Sequence, residues 1–392
     1  MRMIIWFRNE GRVHVMLGAL VASALNFYAF VIAPLLFAVE HLEQFVQDSY
    51  LSGFYMASAV SSIMPFCVFM YRFGGQTALR RYVQISLVAA VAISICGISI
   101  ARLPWSYMMI AGALLMHLAG FYLGAMIHRE RTALIAMLQC LQPFLFACFI
   151  TLNHFVVYAS VPWSGLYLLS AALAITIFVA TARHEQIWSD INLVQQPIDN
   201  TFAVLTLIAA TVSFPLFFHV ELFLIGNFGS IALGEYAILQ KLYASVATSL
   251  FGSVGLLILN RSFENKTTKM HFLPKEVIGI ACLAAVSVPV IGLIIFFLDH
   301  SNVLAVPTLT LCSVSSFFYT LCSYCALRLA VIGSSKSLQL VSLSILFYTV
   351  IFFGLEPDSS QDYMQLSLVF FIVYLGGARA MFSFQLTPRG QQ

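Results

Sequence analysis

Apolar runs of about 20 residues, the length an α-helix needs to cross the hydrocarbon of a bilayer, recur twelve times along this 392-residue chain. Six lie near residues 13–38, 49–70, 82–101, 104–127, 132–152 and 161–182. After the polar stretch ARHEQIWSDINLVQQPIDN, six more lie near 201–226, 235–259, 277–298, 303–327, 338–355 and 364–384. Only 9% of the residues are charged and 61% are hydrophobic, against roughly 25% charged in a water-soluble domain. The solvent of this chain is lipid. There each segment must satisfy its own backbone hydrogen bonds, so the runs are helices. The expectation is an all-α polytopic membrane protein with about twelve transmembrane helices, six in residues 1–190 and six in 191–392.

Lys and Arg collect in cytoplasmic loops, which gives an independent check. With both termini inside, the inner loops take 17 of the 19 basic residues, from Arg2, Arg8 and Arg12 through Arg80, Arg81, Lys266 and Lys269 to Arg379 and Arg389. Only Arg102 falls outside, and only Lys241 falls within a span. The external loops carry acids instead: Glu40, Glu43 and Asp48, then Asp299, then Glu356, Asp358 and Asp362.

Several function classes drop out. There is no G-x-x-x-x-G-K-[ST], H-E-x-x-H or G-x-S-x-G, and no loop is long enough to hold a soluble catalytic domain. The net charge of +3 reflects inner-face anchoring and gives no nucleic-acid signal. All eight cysteines lie inside predicted spans. Cys322 and Cys325 form a C-x-x-C, but zinc needs four ligands and no second pair is near, so no metal or other cofactor is expected. Transport is the leading class. The major facilitator architecture shares the helix count, yet the loop YRFGGQTALRR after the second span lacks the acid of its signature.

An internal repeat supports a transporter. FVQDSYLSGFYMASAVSSIMPF in the first half and SIALGEYAILQKLYASVATSLF in the second each place an acid within two residues of a tyrosine, Asp48 with Tyr50 and Glu235 with Tyr236, before a helix rich in Ala and Ser. The longer stretch HVELFLIGNFGSIALGEYAILQKL resembles the helix 7 to helix 8 region of the polysaccharide and lipid-linked oligosaccharide flippases, the Wzx type (O-antigen flippase-like), within the multidrug/oligosaccharidyl-lipid/polysaccharide exporter superfamily. Glu221, Gly234 and Tyr236 stand at the matching positions, with Glu221 where the family more often has Asp. The specific match covers about 30 residues. The resemblance implies two six-helix lobes around a central cavity, working by alternating access. It implies transfer of an undecaprenyl-diphosphate-linked oligosaccharide repeat unit from the cytoplasmic to the periplasmic leaflet of the bacterial inner membrane. The implied partners are that lipid-linked glycan, membrane lipids and the polysaccharide polymerase machinery. An ion-coupled exporter of amphiphilic drugs and a membrane polymerase of lipid-linked sugars remain as alternatives.

Lys241 is the residue that composition alone would not place. About 9 Å along its helix from Glu235, it sits where a lysine costs up to about 2.5–3.5 kcal/mol. Residues 241, 245, 248 and 252 are Lys, Ser, Thr and Gly, while 239, 242, 246 and 250 are Leu, Leu, Val and Leu. The first stripe is expected to face protein or water and the second lipid. Substrate contacts are therefore expected from Lys241, with Arg328, Asn26 and Gln139, and coupling or ion-pair roles from Glu221, Glu235, His219 and Asp48. Glu221 and Lys241 lie at similar depth on consecutive antiparallel helices, so the two are expected to pair in at least one conformation.

Overall fold

The computed structural model describes residues 10–37, 82–92, 95, 106–128, 131–157, 161–184, 201–229, 233–250, 273–299 and 306–385. Asp48 and the span expected at 49–70 lie outside them. Every regular element among the described residues is helical. Helix α1 is Glu10–Phe27, running through a π-helical turn at Tyr28–Ile32 into Ala33–Phe37; α2 is Tyr82–Ala92, α3 Ser106–His128, α4 Thr132–Leu152 with a π-helical turn at Asn153–Val157, and α5 Trp163–His184. Then follow α6 Thr201–Phe228, α7 Leu233–Leu250, α8 Lys275–Asp299, α9 Val306–Leu355 and α10 Ser360–Gln385. Eight stretches of these are long and apolar enough to cross a membrane, and α6 and α7 stand at two further predicted spans. The chain is an all-α polytopic membrane protein.

Helix α9 is 50 residues long, which as a straight rod would be about 75 Å, twice a bilayer. It is a hairpin. The Ser337 hydroxyl donates to the Ala326 carbonyl at 3.5 Å, although 11 residues of straight helix would hold them about 16 Å apart. Two apolar stretches, Val306–Ala330 and Ser335–Leu355, are its arms, and they match the two spans expected there. The second arm exposes Leu343, Leu346, Val350 and Phe353, each at least 51% accessible. Spaced three or four apart, they form one apolar stripe of the kind lipid covers. After the arm, Ser359 caps α10: its backbone N–H and hydroxyl donate to Asp362 at 3.1 and 2.6 Å, and the Asp362 N–H returns a bond to the Ser359 hydroxyl at 3.3 Å. That reciprocal exchange is a capping box.

Two compact units divide the chain, unit 1 of residues 1–208 with 252–260 and unit 2 of 209–251 with 261–392. In unit 1, α1 packs along α4 with residue numbers rising together: Gly18 against Ala136, Tyr28 Oη 2.9 Å from Thr151 Oγ1, and the Phe37 ring stacked on His154 at 4.1 Å. The two helices are parallel. A Cβ added at Gly18 would stand 2.6 Å from the Ala136 Cα, so glycine is what lets these backbones approach. The core above this contact holds Ala29, Ala33, Met109, Phe146, Ile150, Leu166 and Tyr167. In unit 2, α6 runs parallel to the second arm of α9, with Phe217 meeting Tyr348 and Phe228 meeting Phe353. Its first arm runs parallel to α10: Gln361 donates to Thr308 at 3.4 Å, and farther along both helices the Cys322 thiol donates to the Phe371 carbonyl at 3.2 Å. Phe217 lies flat on Phe370 with ring centroids 3.6 Å apart, at the centre of an aromatic core that includes Phe214, Phe218, Tyr319 and Phe371.

Candidate functional site

Glu221, two turns from the end of α6, has no exposed surface. Three helical segments of unit 2 aim hydrogen-bond donors at it. The hydroxyls of Tyr236 and Tyr348 donate to Oε1 at 2.8 and 3.2 Å. Gln240 Nε2 and the Tyr243 hydroxyl donate to Oε2 at 2.8 and 3.3 Å, and the Ser367 hydroxyl also contacts Oε1. Helix geometry explains the supply: Tyr236, Gln240 and Tyr243 are four and three residues apart on α7, so they share one face. Tyr348 comes from the second arm of α9, which runs beside α6, and Ser367 comes from α10.

All of these donors are uncharged. A carboxylate offers about four lone-pair sites and the ring fills them, so Glu221 is held in the interior without a cation. Gln240 also donates to the Phe218 carbonyl at 3.1 Å, tying α7 to α6 at two points. Tyr236, Tyr243 and Tyr348 are each buried to 1% exposure or less, and water is excluded from the ring.

One expectation is not met in this conformation, and another needs correction. Lys241 is not among the partners of Glu221; Gln240, the residue before it, takes that place, and one residue on a helix is a turn of about 100°. In this conformation the pair expected from shared depth is absent. Leu239 and Leu242 do not face lipid either, for both are fully buried. Helix α7 packs against α8 and α9, so Leu239 and Leu242 are core, and 236, 240 and 243 form a polar stripe that faces Glu221; the side chains of 245, 246, 248 and 250 lie outside the description. Lys241 itself is half-buried.

The remaining expected residues are spread over the molecule. Arg328 is buried at 5% exposure in the first arm of α9, with its guanidinium 4.6 Å from the centroid of the Phe382 ring, a cation–π contact. Asn26 on α1 and Gln139 on α4 belong to unit 1, both partly buried, and Asn26 Oδ1 is a buried acceptor with no partner in the protein. Glu235 and His219 lie on α7 and α6, their side chains outside the description. The resemblance singled out Glu221 and Tyr236, which the fold joins directly. It missed Gln240, Tyr243, Tyr348 and Ser367. The first two were accessible from the spacing on α7, whereas Tyr348 and Ser367 lie 127 and 146 residues from Glu221 and carry no local signal.

No protein-family model matches the chain, and no curated protein sequence does. Solved structures match it almost from end to end. The Vibrio cholerae MATE transporter VcmN in its bent form superposes with a TM-score of 0.62 at 12% identity, covering 96% of this chain and 95% of that one. A MOP superfamily transporter from Pyrococcus furiosus gives 0.62 at 12% identity over 97% and 96%. An outward-facing multidrug resistance MATE family transporter of the MOP superfamily gives 0.59 at 12% identity over 96% and 95%. At this identity the likeness is one of fold: the chain has the fold of the MATE transporters.

Proposed function

We propose that this protein is an alternating-access flippase that carries an undecaprenyl-diphosphate-linked oligosaccharide from the inner to the outer leaflet of a bacterial cytoplasmic membrane, coupled to protons at Glu221. The observation that carries the reading is the distribution of charge inside unit 2. Glu221 is the one fully buried carboxylate among the described residues, and its hydrogen bonds are taken up by neutral donors. Neither Lys241 nor Arg328, the cations set in helices of unit 2, is among its partners. A cationic site attracts a diphosphate headgroup and repels a cationic drug, while the polyprenyl tail stays in the bilayer. Lys241 and Arg328 act as headgroup contacts, and the amides of Asn26 and Gln139 as partners for sugar hydroxyls.

The coupling role of Glu221 follows from the ring. A carboxylate whose partners are neutral and whose surroundings are dry changes its energy sharply on taking a proton, whereas one paired with lysine would change less. Drug export is the second reading, favoured by the fold shared with a multidrug resistance transporter. The fold admits both signs of pocket, since the Pyrococcus furiosus transporter is described by a reversed polarity of its binding pocket that suggests a different function. A reconstitution separates the two. In proteoliposomes with a pH gradient, wild-type protein moves a fluorescent undecaprenyl-diphosphate sugar across the bilayer and Lys241→Ala does not; efflux of a cationic dye without lipid movement would establish the drug exporter instead.

The charge partition supports the orientation proposed, with both termini in the cytoplasm. Lys336 at the bend of α9 and Asp358 between α9 and α10 are both exposed. A cysteine at 358 should react with an impermeant maleimide from outside and one at 336 only after the membrane is opened. The reverse pattern would overturn the topology.

A further inference from the structure

Six polar hydrogens surround Glu221: one each on Tyr236, Tyr243, Tyr348 and Ser367, and two on Gln240. One Gln240 hydrogen goes to the Phe218 carbonyl. Gln240 and Tyr243 fill the two lone-pair sites of Oε2 and Tyr348 one of those of Oε1, which leaves one site for either Tyr236 or Ser367. The Ser367 hydrogen is the fifth, and it has a choice. Ser367 Oγ touches Glu221 Oε1, stands 2.9 Å from Tyr236 Oη and can donate to the Tyr363 carbonyl at 2.9 Å, one turn back on α10. Among the hydroxyls of the ring it alone reaches an acceptor outside the ring. Tyr236, Tyr243 and Tyr348 turn to Glu221 and to one another or Ser367, all within the ring.

We infer that Ser367 is the residue that lets Glu221 exist in two protonation states without movement of the surrounding atoms, by reversing the direction of its hydroxyl. This rests on the coupling role proposed for Glu221 and names the part that serves it. With Glu221 ionised, the Ser367 hydrogen is donated to Oε1 and Tyr236 donates to Ser367 Oγ. When a proton from water bonds to Oε1, that hydrogen is donated to Ser367 Oγ, and Ser367 turns its own hydrogen to the Tyr363 carbonyl. Serine keeps its proton throughout. Tyr348 stays on Oε1, Gln240 and Tyr243 on Oε2 and Tyr236 on Ser367 Oγ, so in both states every hydrogen of the ring has an acceptor. The titratable groups facing Glu221 are Tyr236 and Tyr243 from α7 and Tyr348 from α9; from α10 it meets only the serine. No Lys, Arg, His or second carboxylate among the described residues contacts it. Ser367 is thus a positioning residue, acting through Glu221.

Infrared difference spectroscopy between acid and alkaline buffer reads this without transport. The full-length protein in nanodiscs should show a protonated-carboxyl C=O band that disappears in Glu221→Gln. In Ser367→Ala the acid loses its acceptor, and that band should move to higher frequency. Ser367→Thr, which keeps a hydroxyl that both donates and accepts, should return it to the wild-type position. Should the alanine variant fail to fold, Ser367→Cys, a weaker hydrogen-bonding group of similar size, should give an upward shift of smaller size. A Glu221 band with the same frequency in serine, alanine and cysteine proteins would overturn the role of Ser367 while leaving Glu221 as the coupling group. Absence of any band sensitive to Glu221→Gln would overturn both.

Discussion

In unit 1 the buried hydrogen bonds between helices join serine to histidine and glutamine to serine, Ser86 with His117 at 3.1 Å and Gln142 with Ser170 at 3.1 Å; in unit 2 their counterparts converge on one carboxylate, with five side chains around Glu221. The scaffolding of the two is alike. Each pairs its first helix in parallel with a later one, α1 with α4 and α6 with the second arm of α9. What differs is how much energy a change in the polar layer can release. A neutral pair contributes about 1 kcal/mol net, whereas a desolvated carboxylate holds several donors that would each be left unsatisfied without it. Helix pairing therefore supplies the frame in both units, and only in unit 2 do the described residues gather that frame's polar groups around a buried carboxylate.

The largest expected effect falls on Glu221. Glu221→Ala leaves the surrounding donors without an acceptor, so thermal unfolding in detergent should show a loss of about 3–5 kcal/mol, with transport abolished. Glu221→Gln keeps the shape and some acceptors, and should lose only about 1–3 kcal/mol while still abolishing coupled transport. If alanine at 221 were as mild as a change in unit 1, the contrast between the units would be wrong. Next comes Lys241→Ala, which should remove transport of the anionic lipid with protein abundance near normal; Lys241→Arg should recover part of it because the charge persists while its shape changes.

A smaller effect probes the frame of unit 1. Gly18→Val forces a side chain onto the Ala136 backbone and should destabilise by about 1–3 kcal/mol, read by the same thermal assay. The smallest is Gln142→Leu, which removes a bond to Ser170 and should lower stability by about 1 kcal/mol without changing the pH dependence of transport. A changed pH profile there would place a coupling group in unit 1.

Much of the frame was legible from the chain itself, because lipid leaves few choices. Runs near 104–127, 132–152, 161–182 and 277–298 fold as helices within a few residues of those limits, and the expected break between 327 and 338 is the bend of α9, which helical hydrogen bonding alone does not reveal. Glu221 and Tyr236 were legible as a motif. Depth pairs Glu221 with Lys241, but depth ignores rotation: in this conformation the residue at the right angle is Gln240. Lys241 drew attention as the rare charge, while the tyrosines around Glu221 resemble any aromatic residue of a membrane helix until the fold brings them together. Tyr348 and Ser367 were beyond local pattern, since their role depends on two helices far along the chain.

Proton flux measured alongside substrate movement tests the role of Glu221 most directly. Proteoliposomes loaded with a pH-sensitive dye, in the absence of an imposed gradient, should show a pH change when undecaprenyl-diphosphate sugar is supplied to wild-type protein and none with Glu221→Gln. A substrate-driven pH change of wild-type size in Glu221→Gln would contradict the assignment of coupling to this carboxylate and to unit 2.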